Sequence, residues 1–226
     1  MAVGHCADHL SLKGNMSGME IIKNRFLSGL LAVYTVLFLV LAVAPVDRMT
    51  WFAENLTVWI ILGFILGLYW SGVQFSRMAY ALMFVLVYLH TIGGHWTFAL
   101  VPFDWVTNFF GFERNHYDRI AHFSVGFYAF AVAEWLYAKR LVANRLLLFT
   151  YPVFLIATVA MSYEIIEWWY AAGAAPEAGM AYLGSQGDIW DAQKDMLADT
   201  LGAVVATGLF FLVRRSKFDT KPSDTA

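Results

Sequence analysis

The chain has 226 residues, of which 60% are hydrophobic and 14% are charged, and its formal net charge is -2. A soluble domain usually carries about 25% charged residues, so these proportions exclude an ordinary soluble domain and an intrinsically disordered chain. The single cysteine excludes a disulfide-rich scaffold, and the slightly acidic charge argues against a nucleic-acid-binding protein. The composition therefore predicts an integral membrane protein.

Apolar stretches of membrane-spanning length recur along the chain. A bilayer core of about 30 Å requires about 20 mostly apolar helical residues. Six stretches meet or approach this length: 26–46, 56–76, 78–103, 120–137, 146–163 and 196–213. The first three contain no Asp, Glu, Lys or Arg, whereas the fourth carries Glu134 and the sixth carries Asp199. We predict an all-α, polytopic bundle of six transmembrane helices.

The first stretch is predicted to be a retained helix rather than a cleaved signal peptide. Its apolar run is longer than the roughly 7–15 residues of a signal h-region. The predicted organisation is then a flexible cytoplasmic N-terminal tail over residues 1–24, a six-helix transmembrane domain over 25–215, and a flexible cytoplasmic C-terminal tail over 216–226.

Basic residues are divided unequally between the two sides that six spans define. The poorer side has Arg48, Arg114, Arg119 and Lys194. The richer side has the remaining ones: Lys13, Lys23, Arg25, Arg77, Lys139, Arg140, Arg145, Arg214, Arg215, Lys217 and Lys221. Because cytoplasmic loops retain positive charge, both termini are predicted to be cytoplasmic.

Most of the side chains that can bind a metal ion or transfer a proton lie on the opposite side, in the outer leaflet. They fall late in the third and fifth spans and early in the fourth and sixth. These residues are His90, His95, His116, Asp118, His122, Glu164, Glu167, Asp188, Asp191, Asp195 and Asp199. The predicted site therefore faces the periplasm or exterior.

Four of these aspartates, at positions 188, 191, 195 and 199, follow spacings of 3, 4 and 4. On a helix they fall within a stripe roughly 80° wide. Interaction with the helix macrodipole explains acidic residues near a helix N-terminus, but Asp195 and Asp199 lie one and two turns deeper. Ionisable residues at that depth usually face the bundle interior and mark a functional site. The alternative is a structural polar network.

Two further pairs share helical faces. Asp118 and His122 are four residues apart, so the carboxylate is expected to hold the imidazole ring N–H and orient it. Glu164 and Glu167 are three residues apart on the neighbouring span.

The histidines of the third span are less clearly functional. His90 and His95 straddle Gly93 and Gly94, where the helix is expected to loosen. Each is either a ligand or acid–base group, or a hydrogen-bonded histidine at the interface. Glu134, near the inner surface, is expected to pair with a nearby Lys or Arg.

Three segments carry a family resemblance: HYDRIAHF at 116–123, YEIIEW at 163–168 and GDIWDAQKDMLADTLG at 187–202. From about residue 25 to 215 the chain resembles the YjdF-type bacterial inner-membrane proteins, a family of unknown function. It is similar, more distantly, to VanZ-like membrane proteins, which are associated with glycopeptide-antibiotic tolerance. The resemblance implies the fold and the site more firmly than an activity.

Six positions match the VanZ-like motifs: Asp118, His122, Tyr163, Glu164, Asp195 and Gly202. Asp199 stands where VanZ-like proteins have Asn, and Asp188 stands near the place of an Arg. This chain is therefore more acidic than the VanZ-like pattern, which favours a cation at the site.

The leading hypothesis is a divalent-metal-dependent site that acts on a membrane lipid or lipid-linked envelope precursor. Oxygen ligands suit Mg, Ca or Mn, and imidazoles also admit Zn. The candidate catalytic residues are His122, Asp118 and Glu164. The candidate metal ligands are Glu164, Asp191, Asp195, His122, Asp188, Asp199, His90, His95, His116 and Glu167.

Two alternatives belong to other functional classes, so whether the protein is an enzyme stays open. Intramembrane acids and histidines are common in proton relays, which suggests a proton- or ion-coupled small-solute transporter. A non-enzymatic envelope assembly factor would instead use the acidic face to bind a partner. The absence of a Walker loop or dinucleotide fingerprint argues against a nucleotide ligand.

Overall fold

A computed structural model describes residues 24–173 and 185–214, and no strand occurs within these two ranges. The helices are α1 (Arg25–Leu41), α2 (Arg48–Trp70), α3 (Arg77–His95), α4 (Asp104–Phe110), α5 (Tyr117–Val125), α6 (Tyr128–Ala138), α7 (Arg145–Gly173) and α8 (Asp191–Val213). The predicted all-α class is thus confirmed. The two predicted tails lie outside the described residues, apart from Asn24.

Several of these helices are suited to a bilayer. Within the described ranges, α2, α3, α7 and α8 are long and apolar enough to cross a membrane, and α1 is a shorter apolar helix. Large apolar side chains on the outer surface of the bundle are exposed, among them Ile60, Phe64, Phe154 and Leu212. Such a surface is stable against lipid, because lipid tails are themselves apolar.

The core lies around α3 and α8. Helix α3 packs against α1, α2, α5 and α6, whereas α8 packs against α5, α6 and α7. Tyr80 and Phe84 on α3, Phe130 on α6 and Phe210 on α8 are almost completely buried. This arrangement holds α5 between the two central helices.

Helices α2, α5 and α8 begin at one end of the bundle, which we call the upper end. Helices α1, α3 and α7 finish there, as the hydrogen-bond distance of 2.7 Å between His95 Nδ1 and the Leu41 carbonyl oxygen illustrates. Glu134 lies towards the lower end, where it accepts hydrogen bonds from the Ser76 N–H at 2.7 Å and the Ser76 hydroxyl at 2.6 Å. Arg214 Nη2 lies 3.7 Å from Glu134 Oε2. The expected basic partner is therefore present, but it is farther from Glu134 than Ser76, the residue that caps α3.

The predicted fourth span, 120–137, is not one helix, which corrects the expectation. It divides at Gly126 and Phe127 into α5 and α6, and the backbone tightens there to i→i−3 hydrogen bonds. Helix α8 passes so close that a Cβ on Gly126 would overlap the backbone of Gly202 and Ala203. The break therefore coincides with a backbone-to-backbone contact with α8.

Other helix limits also differ from the predicted spans. Helix α3 ends at His95 because Thr97 and Phe98 adopt positive φ angles that turn the chain. Helix α7 continues to Gly173. Helix α2 begins at Arg48, so Glu54, which lay outside the predicted second span, is a buried residue of this helix.

We expect Asp47→Ala to lower the free energy of unfolding by about 1 kcal/mol, the usual effect of removing a helix N-cap. Asp47 Oδ1 accepts the Thr50 N–H at 2.7 Å, and this hydrogen bond lowers the pKa of Asp47. A depressed folded-state pKa gives stability that is present at neutral pH and lost as pH falls through that pKa.

Thermal unfolding in detergent between about pH 7 and pH 3 measures this effect. The advantage of the wild type over Asp47→Ala should shrink below about pH 4. Asp47→Ser keeps a capping oxygen without a carboxylate, so its stability should lack this acid-dependent loss. A wild-type advantage over Asp47→Ala that is constant across the pH range would contradict the assignment.

Candidate functional site

A network of ion pairs joins the segment before and within α5 to the start of α8. Arg114 Nη1 lies 2.8 Å from Asp191 Oδ1 and 3.3 Å from Asp188 Oδ2. Arg119 pairs with both Asp191 and Asp195. The mutual repulsion of the aspartate stripe is therefore relieved by two arginines, which sequence reasoning had used only to orient the chain.

Asp188 and His116 lie at the outer edge of this network and have further contacts. Lys194 Nζ donates to Asp188 Oδ2 at 2.6 Å, and this hydrogen bond lowers the pKa of Asp188. Burial, together with the positive charge of Arg114, lowers the pKa of His116, whose ring packs against Phe112. Asp188 is therefore ionised and His116 neutral at pH 7.

Deeper in the bundle, His122 lies among three carboxylates. Its Nδ1 atom is 3.3 Å from Asp199 Oδ2. Its Nε2 atom is 3.7 Å from Asp118 Oδ1 and 3.8 Å from Asp195 Oδ1, beyond hydrogen-bonding distance of both. We call Asp118, His122 and Asp195 the His122 triad. Asp199, rather than Asp118, thus has the position expected of the residue that orients the imidazole.

The triad has a spacing suitable for a metal ion. One ligand atom from each residue lies within 4.8 Å of the others. A tetrahedral site with bonds of about 2.1 Å places its ligand atoms about 3.4 Å apart. One imidazole and two carboxylates therefore form a donor set that a small contraction would close around a divalent cation.

Helix packing explains why these four side chains meet. Asp118 and His122 lie one turn apart on α5, and Asp195 and Asp199 lie one turn apart on α8. The backbone contact around Gly202 brings α5 and α8 together, so the two faces oppose each other.

A cavity of about 190 Å³ adjoins the triad, bounded by α2, α3, α5, α7 and α8. Its ionisable lining residues are Glu54, His90, Asp118, His122, Tyr163, Glu167 and Asp199. Its apolar lining residues are Ile61, Leu86, Phe98, Ala121, Val125, Val159 and Ala160. The site is thus a mixed polar and apolar chamber rather than a purely ionic one.

Glu54 and His90 form a second polar pair in this cavity, with Glu54 Oε2 2.9 Å from His90 Nε2. Glu54 was missed because it lies just before the predicted second span, 56–76, and because its partner belongs to another helix. Gly93 and Gly94 do not loosen α3 as expected. A Cβ on Gly94 would lie 2.9 Å from the Glu54 Cβ, so this glycine allows Glu54 to approach His90.

Three other candidate ligands are not brought into the cavity. His95 lies within hydrogen-bonding distance of the Leu41 carbonyl at the end of α1, and His116 immediately precedes α5, outside the cavity. Glu164 is half-buried on α7 but is not part of the cavity lining. Its Oε1 atom is buried and has no hydrogen-bond partner within the described part of the chain.

Comparison with known proteins places this bundle in a family. The family described as "Predicted membrane protein (DUF2238)" matches residues 26–216, which include the whole triad and cavity lining. The inner membrane protein YjdF of Escherichia coli (strain K12) is 31% identical over 182 residues, covering 80% of this chain and 85% of YjdF. No solved structure matches. The predicted membrane character and YjdF-type resemblance are confirmed, and the chain belongs to the DUF2238 family of predicted membrane proteins.

Proposed function

We propose that the His122 triad holds a divalent metal ion in the outer leaflet, and that the site acts on a membrane lipid or lipid-linked envelope precursor. The single observation that carries this proposal is the environment of His122. One carboxylate lies near Nδ1, while two carboxylates face Nε2 at 3.7 and 3.8 Å. Metal-ligating histidines commonly have a carboxylate on the second ring nitrogen.

The donor set narrows the choice of metal among Mg, Mn, Ca and Zn. The imidazole suits Zn and the two carboxylates suit Mn, whereas Ca takes six to eight oxygen ligands and fits this small donor set poorly. Such an ion, when bound, polarises a phosphoryl or carbonyl oxygen or acidifies a water molecule.

Within this proposal the remaining acidic residues have supporting roles. Asp191 is held by Arg114 and Arg119 and is assigned to structure rather than to metal binding. Asp199 orients His122. Arg119 fixes Asp195 and offsets part of the negative charge that the site carries without a metal.

The proposed topology has six spans, in which α5 and α6 together form the fourth and α1 forms the first. Both termini are then cytoplasmic, and the upper end faces the periplasm of the inner membrane. The excess of basic residues on the termini side supports this orientation.

We expect the detergent-purified protein, supplied with Zn or Mn, to contain about one metal ion per chain by elemental analysis. Asp118→Asn and His122→Gln should lose the metal because each removes one triad ligand. Asp104→Asn, at an exposed carboxylate of α4, should retain it. A folded wild type without metal, or an Asp118→Asn variant with unchanged stoichiometry, would refute the proposed centre.

Proton-coupled transport is the second candidate, favoured by the Glu54–His90 pair in the cavity that Asp118 and His122 also line. Transporter sites usually lie near the membrane midplane, whereas these groups gather at the upper end. Solute or proton flux into proteoliposomes that Asp199→Asn abolishes would favour this alternative.

A further inference from the structure

The cavity changes character along the membrane normal. In each of four lining helices, an ionisable residue lies nearer the upper end than an apolar one. The pairs are Glu54 and Ile61 on α2, His90 and Leu86 on α3, His122 and Val125 on α5, and Glu167 and Val159 on α7. Phe98 and Ala121 are the apolar lining residues that lie level with the ionisable ones, and the other apolar lining residues lie below them. This distribution matches an amphiphile inserted in one leaflet, with its polar end near the surface and its apolar end below.

The cavity also reaches the side of the bundle. Helix α2 packs against α3, and α7 packs against α6 and α8, but α2 and α7 form no extensive contact between their described residues. Both nevertheless line the cavity. Val159 on α7 belongs to the cavity wall and is 48% exposed, whereas Leu86, on another wall, is only 4% exposed. The chamber therefore extends from the lipid-facing surface into the interior.

We propose that the hydrocarbon chain of an outer-leaflet amphiphile enters this cavity sideways, between α2 and α7, with its polar head at the His122 triad. This inference rests on the proposed function and specifies how its substrate is bound. An apolar cavity of about 150 Å³ can accommodate benzene. A chamber of about 190 Å³ therefore holds the first carbons of one chain beside the polar head, while the remaining hydrocarbon stays in the bilayer.

A photoactivatable phosphatidylethanolamine, with a diazirine close to the ester end of one acyl chain, tests this entry route in nanodiscs. Peptide mass spectrometry should find adducts on Leu86 after illumination. Phe84 is the matched control, because it is fully buried on the same helix and lies outside the cavity wall. Adducts confined to exposed residues would overturn the proposal, and so would equal labelling of Leu86 and Phe84, which indicates general penetration of the bundle.

A variant at the side opening adds a second test. Val159→Trp should reduce Leu86 labelling at least about tenfold by filling the entrance. Val205→Trp, at an exposed position on α8 outside the cavity, should leave it unchanged. Unaltered labelling of Leu86 in a folded Val159→Trp variant would overturn the route between α2 and α7.

Two unlabelled competitors show which class of lipid supplies the hydrocarbon chain. An excess of unlabelled polyprenyl phosphate should suppress the Leu86 adducts if the site prefers a lipid-linked precursor, whereas unlabelled phosphatidylethanolamine should do so if it prefers a phospholipid. Displacement by neither competitor would overturn specific entry of a chain.

Metal content measured on the same preparations separates this inference from the proposed function. Leu86 adducts without a metal would refute the metal centre and support chain entry. A bound metal without Leu86 adducts would support the metal centre and refute chain entry.

Discussion

Gly202→Ala should lower the free energy of unfolding by about 3 kcal/mol or more, at the upper end of what overpacking a core costs. A Cβ at this position would overlap the Phe123 carbonyl oxygen and lie 3.2 Å from the Gly126 Cα. Both obstacles are backbone atoms, so no flexible side chain can move aside. Helix α8 must separate from α5, which also pulls Asp195 away from His122.

Thermal unfolding of the purified variant measures the loss of stability. Gly208→Ala is the matched control on the same helix, because a Cβ there meets nothing within 4 Å. Replacing a helical glycine in open space favours the helix by roughly 0.5–1 kcal/mol, so Gly208→Ala should be neutral or stabilising. Equal melting temperatures for the two variants would show that α5 and α8 do not approach as closely as described.

Arg119→Met should be the second severe substitution, with an expected loss of about 3–5 kcal/mol, the range for breaking a buried ion pair. Arg119 is mostly buried and pairs with both Asp191 and Asp195. Its removal leaves the buried carboxylates of Asp191 and Asp195 with less positive charge nearby to offset their negative charges. Adding Asp191→Asn to Arg119→Met should recover part of the stability, because one uncompensated charge is then removed.

Lys194→Met provides the contrast within the same network. Lys194 is 53% exposed where it contacts Asp188, and exposed ion pairs contribute little. Its melting temperature should stay close to that of the wild type. A loss as large as that of Arg119→Met would mean that burial does not determine the strength of these pairs.

Local sequence patterns predicted most of the helices and the shared faces of α5 and α8. In a bilayer, a sufficiently long apolar run forms a helix, because a helix satisfies its own backbone hydrogen bonds without a partner segment. The spacing of Asp191, Asp195 and Asp199 likewise predicted one face of α8, and all three are buried. Sequence spacing also placed Asp118 and His122 one turn apart.

Features that depend on contacts between distant segments were not predictable from spacing. The interruption at Gly126 coincides with the passage of α8, some 75 residues later in the chain. The pairing of Arg119 with Asp191 and Asp195 requires the same contact. Glu54 escaped notice because its partner, His90, belongs to another helix.

The interruption between α5 and α6 also determines how a disturbance at the site travels through the protein. Helix α6 is attached separately, through the hydrogen bonds of Glu134 with Ser76. We expect a rearrangement of Asp118 or His122 to be absorbed at this junction, because α5 and α6 are not one rigid helix. Helix α8, in contrast, continues unbroken from Asp191 to Val213, so a displacement at the site can be carried along it to the lower end of the bundle.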